Sequence, residues 1–354
     1  MYSDSVKVYL YSHNPLDFPH FKIDYGILKQ IFDKYNLEQI KCFTLPEIDY
    51  AFVVISGQGN AWHEEIINKE LQKIKKLKLF IIADANSYFD LDKINHPNIE
   101  IWKQYPRQNH KHLNIFSAGT PTPFLETKHQ LSDKTNDIFF AGQITHNRRQ
   151  QLKNILPKIK NSIFKFSLIY TKGYKPQEYY NHLSKAKLCP APSGEFILDT
   201  FRVYESIELL TLPIIDTINA YGKQDNYFEL VYKYIPAPRI TNWNNLEKEI
   251  EHILTKYPYN LFELVSWWAE YKLNLEYKIM NINNICVINL NIDRLNKKTM
   301  EEIENVYMWA NANFARNSFV LYLNLPFVNE KTIFSILWNC FHLWTNTIPK
   351  FNKQ

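Results

Sequence analysis

The chain has 354 residues, 45% hydrophobic and 22% charged, which is enough for about two or three domains with cores of their own and excludes a disordered polymer. Only eight residues are glycine. The single G-x-G, Gly57-Gln58-Gly59, has no third glycine, and no G-x-x-x-x-G-K-[ST] occurs, so dinucleotide and P-loop fingerprints are excluded. A formal net charge of +5 permits an anionic ligand without making the chain a nucleic-acid binder.

Short apolar runs alternate with amphipathic segments from the start. Val6–Tyr11 predicts a strand, and Tyr25–Tyr35 a helix with Ile27, Leu28, Ile31 and Phe32 on one face. Ile40–Thr44, Tyr50–Ser56 and Leu77–Ala83 predict further strands, with a helix at Trp62–Lys76 between the last two. The apolar runs Ala51–Ile55 and Leu79–Ala83 suit strands buried on both faces of a parallel sheet. Gln104–Lys134 carries Pro106, Pro121 and Pro123 and reads as loop and linker around one short strand near Asn114–Phe116.

The alternation then restarts. Strands are predicted at Asp137–Ala141, Phe164–Tyr170, Lys187–Pro190 and Leu212–Asp216. Helices are predicted at Arg148–Lys160, Lys175–Ser184, Phe201–Leu210, Leu246–Tyr257 and Asn260–Ile279. A last piece reads strand Cys286–Asn291, helix Lys298–Phe314, strand Ser318–Asn324, helix Glu330–Trp344. The expected class is α/β, with two Rossmann-like domains at 1–130 and 131–282 and a small C-terminal βαβα extension at 283–354. That extension is small to stand alone and is expected to pack on a neighbour or on a second subunit.

Cys42, Cys189, Cys286 and Cys340 lie far apart without a C-x-x-C, so reduced thiols in a cytoplasmic protein are expected. Met1–His20 has no basic start followed by a long apolar core, so no secretory leader is expected. No apolar run approaches the about 18 residues of a membrane span. His110 and His112 have the spacing of a metal pair on a strand, but in a polar loop without a nearby carboxylate, so no metal site is expected.

The informative stretch is Asp137–Asp216. It opens Asp137-Ile138-Phe139-Phe140-Ala141-Gly142-Gln143, followed by Arg148-Arg149. Leu183-Ser184-Lys185-Ala186-Lys187-Leu188-Cys189-Pro190 and Pro192-Ser193-Gly194 come next. These lead to Asp199-Thr200-Phe201-Arg202-Val203-Tyr204-Glu205-Ser206-Ile207 and to Leu212-Pro213-Ile214-Ile215. As an ordered set this resembles the nucleotide-binding half of exostosin-like glycosyltransferases, with Thr200 as the small hydroxyl residue two before an arginine and Arg202-x-x-Glu205 after it. A fainter resemblance is to phage DNA β-glucosyltransferases, which glucosylate 5-hydroxymethylcytosine in DNA. They share the Arg202-Val203-x-Glu205 spacing and an aspartate at the carboxyl end of an amino-domain strand, here Asp84 after Leu79–Ala83. One of that family's diphosphate arginines falls near Thr145 and the other near Arg149.

Both resemblances imply a GT-B architecture, two Rossmann-like domains facing a cleft, and an inverting transfer from a UDP-sugar. The diphosphate gains charge as it leaves. Arg149 near a helix start, Arg148 beside it, and Arg202 at the start of the next functional helix are the residue types to hold it. Glu205, three residues on, can accept both ribose hydroxyls. The loop Tyr170–Lys175, with Tyr170 and Tyr174, can hold the uracil, and Gly142 and the Pro192-Ser193-Gly194 turn can let backbone approach phosphate. Inversion needs a base opposite the leaving group. Asp84 is the first choice and Asp24 the second.

The plainer readings stand beside these. Arg202 and Glu205 also suit a surface helix pair, and Asp84 a turn or helix cap. Lys69, Lys73, Lys75, Lys76 and Lys78 suit a solvated helix face or a contact to a DNA backbone. Trp267-Trp268 suits packing. No cofactor is expected beyond the UDP-sugar co-substrate. The acceptor is either a glycan or protein or a 5-hydroxymethylpyrimidine in DNA. A non-catalytic nucleotide-sugar-binding protein is the alternative.

Overall fold

The computed structural model describes residues 6–13, 21, 23–57, 64–83, 89–105, 113–129, 132–167, 173–194, 197–223, 230–232 and 234–280. The elements expected beyond 280, and with them the C-terminal extension, Cys286 and Cys340, lie outside the described residues, as do Asp84, Tyr170, His110 and His112.

The first sheet is six-stranded, in the order β2 (Gln39–Cys42), β1 (Val8–Tyr11), β3 (Ile48–Ser56), β4 (Ile74–Ile82), β5 (Ile99–Lys103) and β6 (Asn114–Ile115), every pair parallel. Side-chain alternation explains its two cores. Ala51, Val53, Ile55, Leu77, Leu79 and Ile81 pack on one face in an aliphatic cluster with Ile67 and Leu71 of the helix Glu64–Leu71. Phe52 and Phe80, on the opposite alternation, build an aromatic core with Phe32 of the helix Gly26–Lys34. Phe80 alone stands 5.7 Å from Phe32 and from Phe52, 6.1 Å from Trp102 and 6.4 Å from Phe116. In chain order these helices are α1 (Gly26–Lys34) and α2 (Glu64–Leu71); one covers each face.

Two local expectations change here. The helix drawn to Lys76 ends at Leu71, and Ile74–Lys76 open β4, because Ile74 and Leu77 are buried while Lys75 and Lys76 are exposed. The lysine row therefore does not lie on one helix. Lys73 pairs with Glu70 at 2.7 Å, Lys75 with Asp49 at 2.6 Å and the buried Lys78 with Glu100 at 3.1 Å. The strand β5 was not expected, although Ile99-Glu100-Ile101-Trp102 alternates as a strand should. The linker also contains one helical turn, α3 (Thr122–Leu125), with Pro123 in its first turn, where proline is tolerated.

The second sheet is five-stranded, in the order β8 (Ser162–Ser167), β7 (Asn136–Gln143), β9 (Ala186–Ala191), β10 (Leu212–Asp216) and β11 (Arg239–Ile240), with β8, β7, β9 and β10 parallel. Its helices are α4 (Asn147–Ile155), α5 (Pro176–Ser184), α6 (Phe201–Glu208), α7 (Leu246–Thr255) and α8 (Tyr257–Met280). The helix expected to reach Lys160 stops at Ile155 and tightens into a 3₁₀ turn at Leu156–Lys158, where Pro157 removes an amide donor. The short strand β11 was not expected.

Both sheets are Rossmann-like, with their first strand between the second and the third. The connections therefore leave in opposite directions from β1 and β3, and again from β7 and β9. That reversal opens a crevice at the carboxyl ends of those strands, the usual ligand position in doubly wound sheets. Close packing divides the chain into Met1–Lys128 with Pro192–Glu205 and Asp216–Lys233, and His129–Ala191 with Ser206–Ile215 and Tyr234–Gln354. Among the described residues no helix is long and apolar enough to cross a membrane.

Candidate functional site

In the second unit the chain leaves β7 through Gly142 and Gln143, turns, and enters α4, whose first turn carries Arg148 and Arg149. Arg149 folds back over the strand end and donates from Nη1 to Gln143 O at 3.2 Å. This sets a guanidinium at the carboxyl end of β7, beside the reversal of the sheet. Arg148 goes elsewhere: it is 5% exposed and donates to Gln151 Oε1 at 3.2 Å, an oxygen that also accepts from the Trp243 amide at 3.3 Å. Gln151 thus ties α4 to the buried Trp243 turn, and Arg148 holds the Gln151 side chain in place from within the same helix. Tyr174 is held in a ring cluster, 4.8 Å from His182 and 6.1 Å from Phe139, with Lys165 Nζ 4.1 Å from its ring centroid.

The other predicted positions fall in the first unit. Ser193 donates its amide to Asp216 Oδ2 at 3.0 Å, and both residues are buried. Gly194 sits where the chain doubles back: a Cβ there would stand 3.2 Å from Ile197 O. Thr200 precedes α6, accepting from the Val203 amide at 3.1 Å. Its Oγ1 is buried without a hydrogen-bond partner among the described residues. Arg202, half-buried, and Glu205, buried, share one side of α6 at i, i+3.

Around this helix start lies a polar cluster of which the sequence analysis singled out Asp24 alone. Asp199, 4% exposed, accepts from the Ala118 amide at 2.7 Å, from Tyr204 Oη at 2.7 Å and from Tyr232 Oη at 2.8 Å. An ionised carboxylate has lone pairs for all three. Asp24, 3% exposed, belongs to the same cluster. Tyr105 Oη donates to its Oδ1 at 2.9 Å, while Oδ2 accepts no hydrogen bond among the described residues. Burial pushes the Asp24 carboxyl up to about 7, with the Tyr105 bond opposing and the negative charge of Asp199 adding to the rise.

Gln104 holds this edge together. It is fully buried; its side chain accepts from the Ala83 amide at 3.2 Å and donates to Asp24 O at 2.9 Å. Ala83 and Tyr105 both have left-handed backbones, at φ 57° and 53°, a conformation that costs a non-glycine residue about 1–2 kcal/mol. The Gln104 and Tyr105 side-chain bonds offset that cost. The helix α1 comes in close enough to complete the arrangement, since a Cβ on Gly26 would stand 1.9 Å from Thr120 O. The available signals were the polar pair directly after the alternating Ile99–Lys103, and an aspartate immediately before Thr200. Among the described residues no group of three or more His, Cys, Asp or Glu is placed to hold a metal ion.

No protein-family model matches the chain, and no curated protein matches it. Among solved structures the chain is similar to an alpha1,3-fucosyltransferase, with TM-score 0.45 and 10% identity over 74% of this chain and 83% of that one. It is also similar to an alpha1,3-fucosyltransferase with GDP-fucose, with TM-score 0.38 and 14% identity over 75% of this chain and 83% of that one. At these scores and identities, donor and acceptor are to be argued from this chain's own residues.

Proposed function

We propose that the protein is a GT-B-type inverting glycosyltransferase that moves a sugar from a UDP-sugar to an acceptor hydroxyl. The observation that carries the reading is Arg149, folded over the carboxyl end of β7 where the second sheet reverses. A diphosphate in that crevice meets a guanidinium and the first-turn amides of α4, and the charge it gains on leaving is what these groups stabilise. Arg202 and Glu205, one helical turn apart on α6, serve the diphosphate and the ribose diol. With cationic groups in that role the transfer needs no metal.

In the chemical step the acceptor oxygen bonds to the anomeric carbon. The bond from that carbon to the diphosphate oxygen breaks, with its electron pair leaving on the nucleotide. The acceptor's proton goes to a carboxylate. Asp24 is supported for this role by an Oδ2 that accepts no hydrogen bond among the described residues and by a proton affinity near neutrality. Asp84 is the other candidate, one residue past the Ala83 that Gln104 holds. The pairing of Lys73, Lys75 and Lys78 with acids favours a glycan or protein acceptor over duplex DNA.

The test is nucleotide release from UDP-sugars and GDP-sugars, with and without chelator. Each is run with glycan, peptide and 5-hydroxymethylpyrimidine DNA acceptors. Acceptor-dependent release of UDP that survives chelation is expected and drops by about a thousandfold in Asp24→Asn. Binding without release identifies a nucleotide-sugar-binding protein instead. Loss of turnover in Asp84→Asn, with Asp24→Asn active, moves the base to Asp84.

A further inference from the structure

We infer that Asp199 is a positioning residue for the proposed donor site, a buried anchor that fixes the placement and rotation of the helix bearing Arg202 and Glu205. The inference rests on the donor-site reading above and names a residue that the reading itself does not use.

Asp199 lies two residues ahead of α6 and three ahead of Arg202. A helix start is fixed in space when a rigid neighbour holds the residue before it. Here the neighbour is the Ala118 amide, in the backbone segment that follows β6, at 2.7 Å from Oδ2. Rotation about the helix axis needs a second tie, from a side chain on the helix. Tyr204 supplies it at 2.7 Å from Oδ1. Successive helical residues are about 100° apart, so Arg202 and Glu205 lie about 60° from each other while Tyr204 lies about 160° behind Arg202. Fixing the tyrosine therefore fixes the direction in which Arg202 and Glu205 leave the helix. Tyr232 is a further donor, at 2.8 Å.

One further contact supports the anchor. The loop that leads into Asp199 is tied at its start, where the Ser193 amide donates to Asp216. A carboxylate with three donors is a stiffer holder than a neutral amide, since charge-assisted bonds are about twice as strong as neutral ones.

The test uses the full chain and the variants Asp199→Asn and Tyr232→Phe, the second being the milder change if the first folds poorly. Lys134→Met is the control. Lys134 donates to Ser184 O, Leu209 O and Thr211 Oγ1 and so is equally structural, but it has no part in the loop. Amide hydrogen exchange reads the anchor without any ligand. Exchange within 197–205 is expected to rise about tenfold in Asp199→Asn and less in Tyr232→Phe, with no such local rise in Lys134→Met. Titration with UDP and GDP reads the site. Wild type and Lys134→Met are expected to bind one of them alike, with affinity about tenfold weaker in Asp199→Asn and a raised donor KM with little change in kcat as the matching kinetic sign.

Unchanged exchange in both Asp199 and Tyr232 variants overturns the anchor. Raised exchange with unchanged nucleotide affinity overturns the positioning role alone. A wild type that binds neither nucleotide overturns the donor-site reading, and with it the role assigned to Asp199, whatever the exchange data show.

Discussion

The two sheets share one winding and differ in what their carboxyl edges carry. The edge of the first is acidic and phenolic: Asp24 with Tyr105, held by Gln104, beside Asp199 with its tyrosines. The edge of the second carries a guanidinium, Arg149 over the end of β7. A doubly wound sheet supplies a crevice at its reversal and leaves the chemistry to the loops. Under the proposed function the difference is a division of labour. The carboxylate of the first edge takes the proton, and the guanidinium of the second stabilises the departing phosphates, a task that Arg202 shares.

The sharpest way to break that division is Asp24→Asn. Turnover is expected to fall about a thousandfold with nucleotide affinity unchanged. A matching fall in affinity would show that Asp24 itself also holds the donor. The same variant has a second expected outcome. Because the folded carboxyl is raised to about 7 from 3.8, the folded state holds its proton more tightly than the unfolded chain. The stability this provides is fully present below about pH 4 and is lost as pH rises through about 7. Asp24→Asn should therefore melt higher than wild type at pH 8 and lose that advantage at pH 4, measured by thermal unfolding.

Arg149→Ala probes the opposite edge. Donor affinity should weaken about a hundredfold, with the acid limb of the pH–rate profile in place. Smaller still is the expected movement of that limb. A base at Asp24 must be deprotonated, so turnover should fall as pH drops through about 7. Removing the Asp199 charge takes away a repulsion that raises Asp24, so Asp199→Asn should move the limb to lower pH. Tyr105→Phe removes an opposing bond and should move it to higher pH. Least affected should be Lys75→Ala: its partner Asp49 is as exposed as it is, and neither melting temperature nor turnover should change measurably.

Much of the fold is legible in the residues because strand and helix periodicities are local. The buried runs of β3 and β4, the apolar stripe of α1 and the apolar stretch of β10 announce themselves without reference to distant chain. Ends are less legible. Pro157 and the buried Ile74 decide where α4 and α2 stop, and each is a single residue against a longer trend. The site divides in the same way. Arg149, Arg202 and Glu205 lie within a recognisable ordered stretch, whereas Gln104, Tyr105 and Tyr232 lie in segments whose composition reads as loop.

By itself the sequence determined most element types, the two α/β halves and the arginines and glutamate proposed for the donor. Those depend on periodicity, burial and side-chain chemistry along one stretch of chain. Only the tertiary structure decided that Arg148 is buried against Gln151, which the Trp243 turn also engages, while its neighbour Arg149 caps β7. Only it brought Asp24, Tyr105, Asp199 and Tyr232 into one buried cluster. The proton affinity of a carboxyl and the rigidity of a helix start are set by neighbours distant in sequence, through desolvation and hydrogen bonds that come into being when the chain closes on itself.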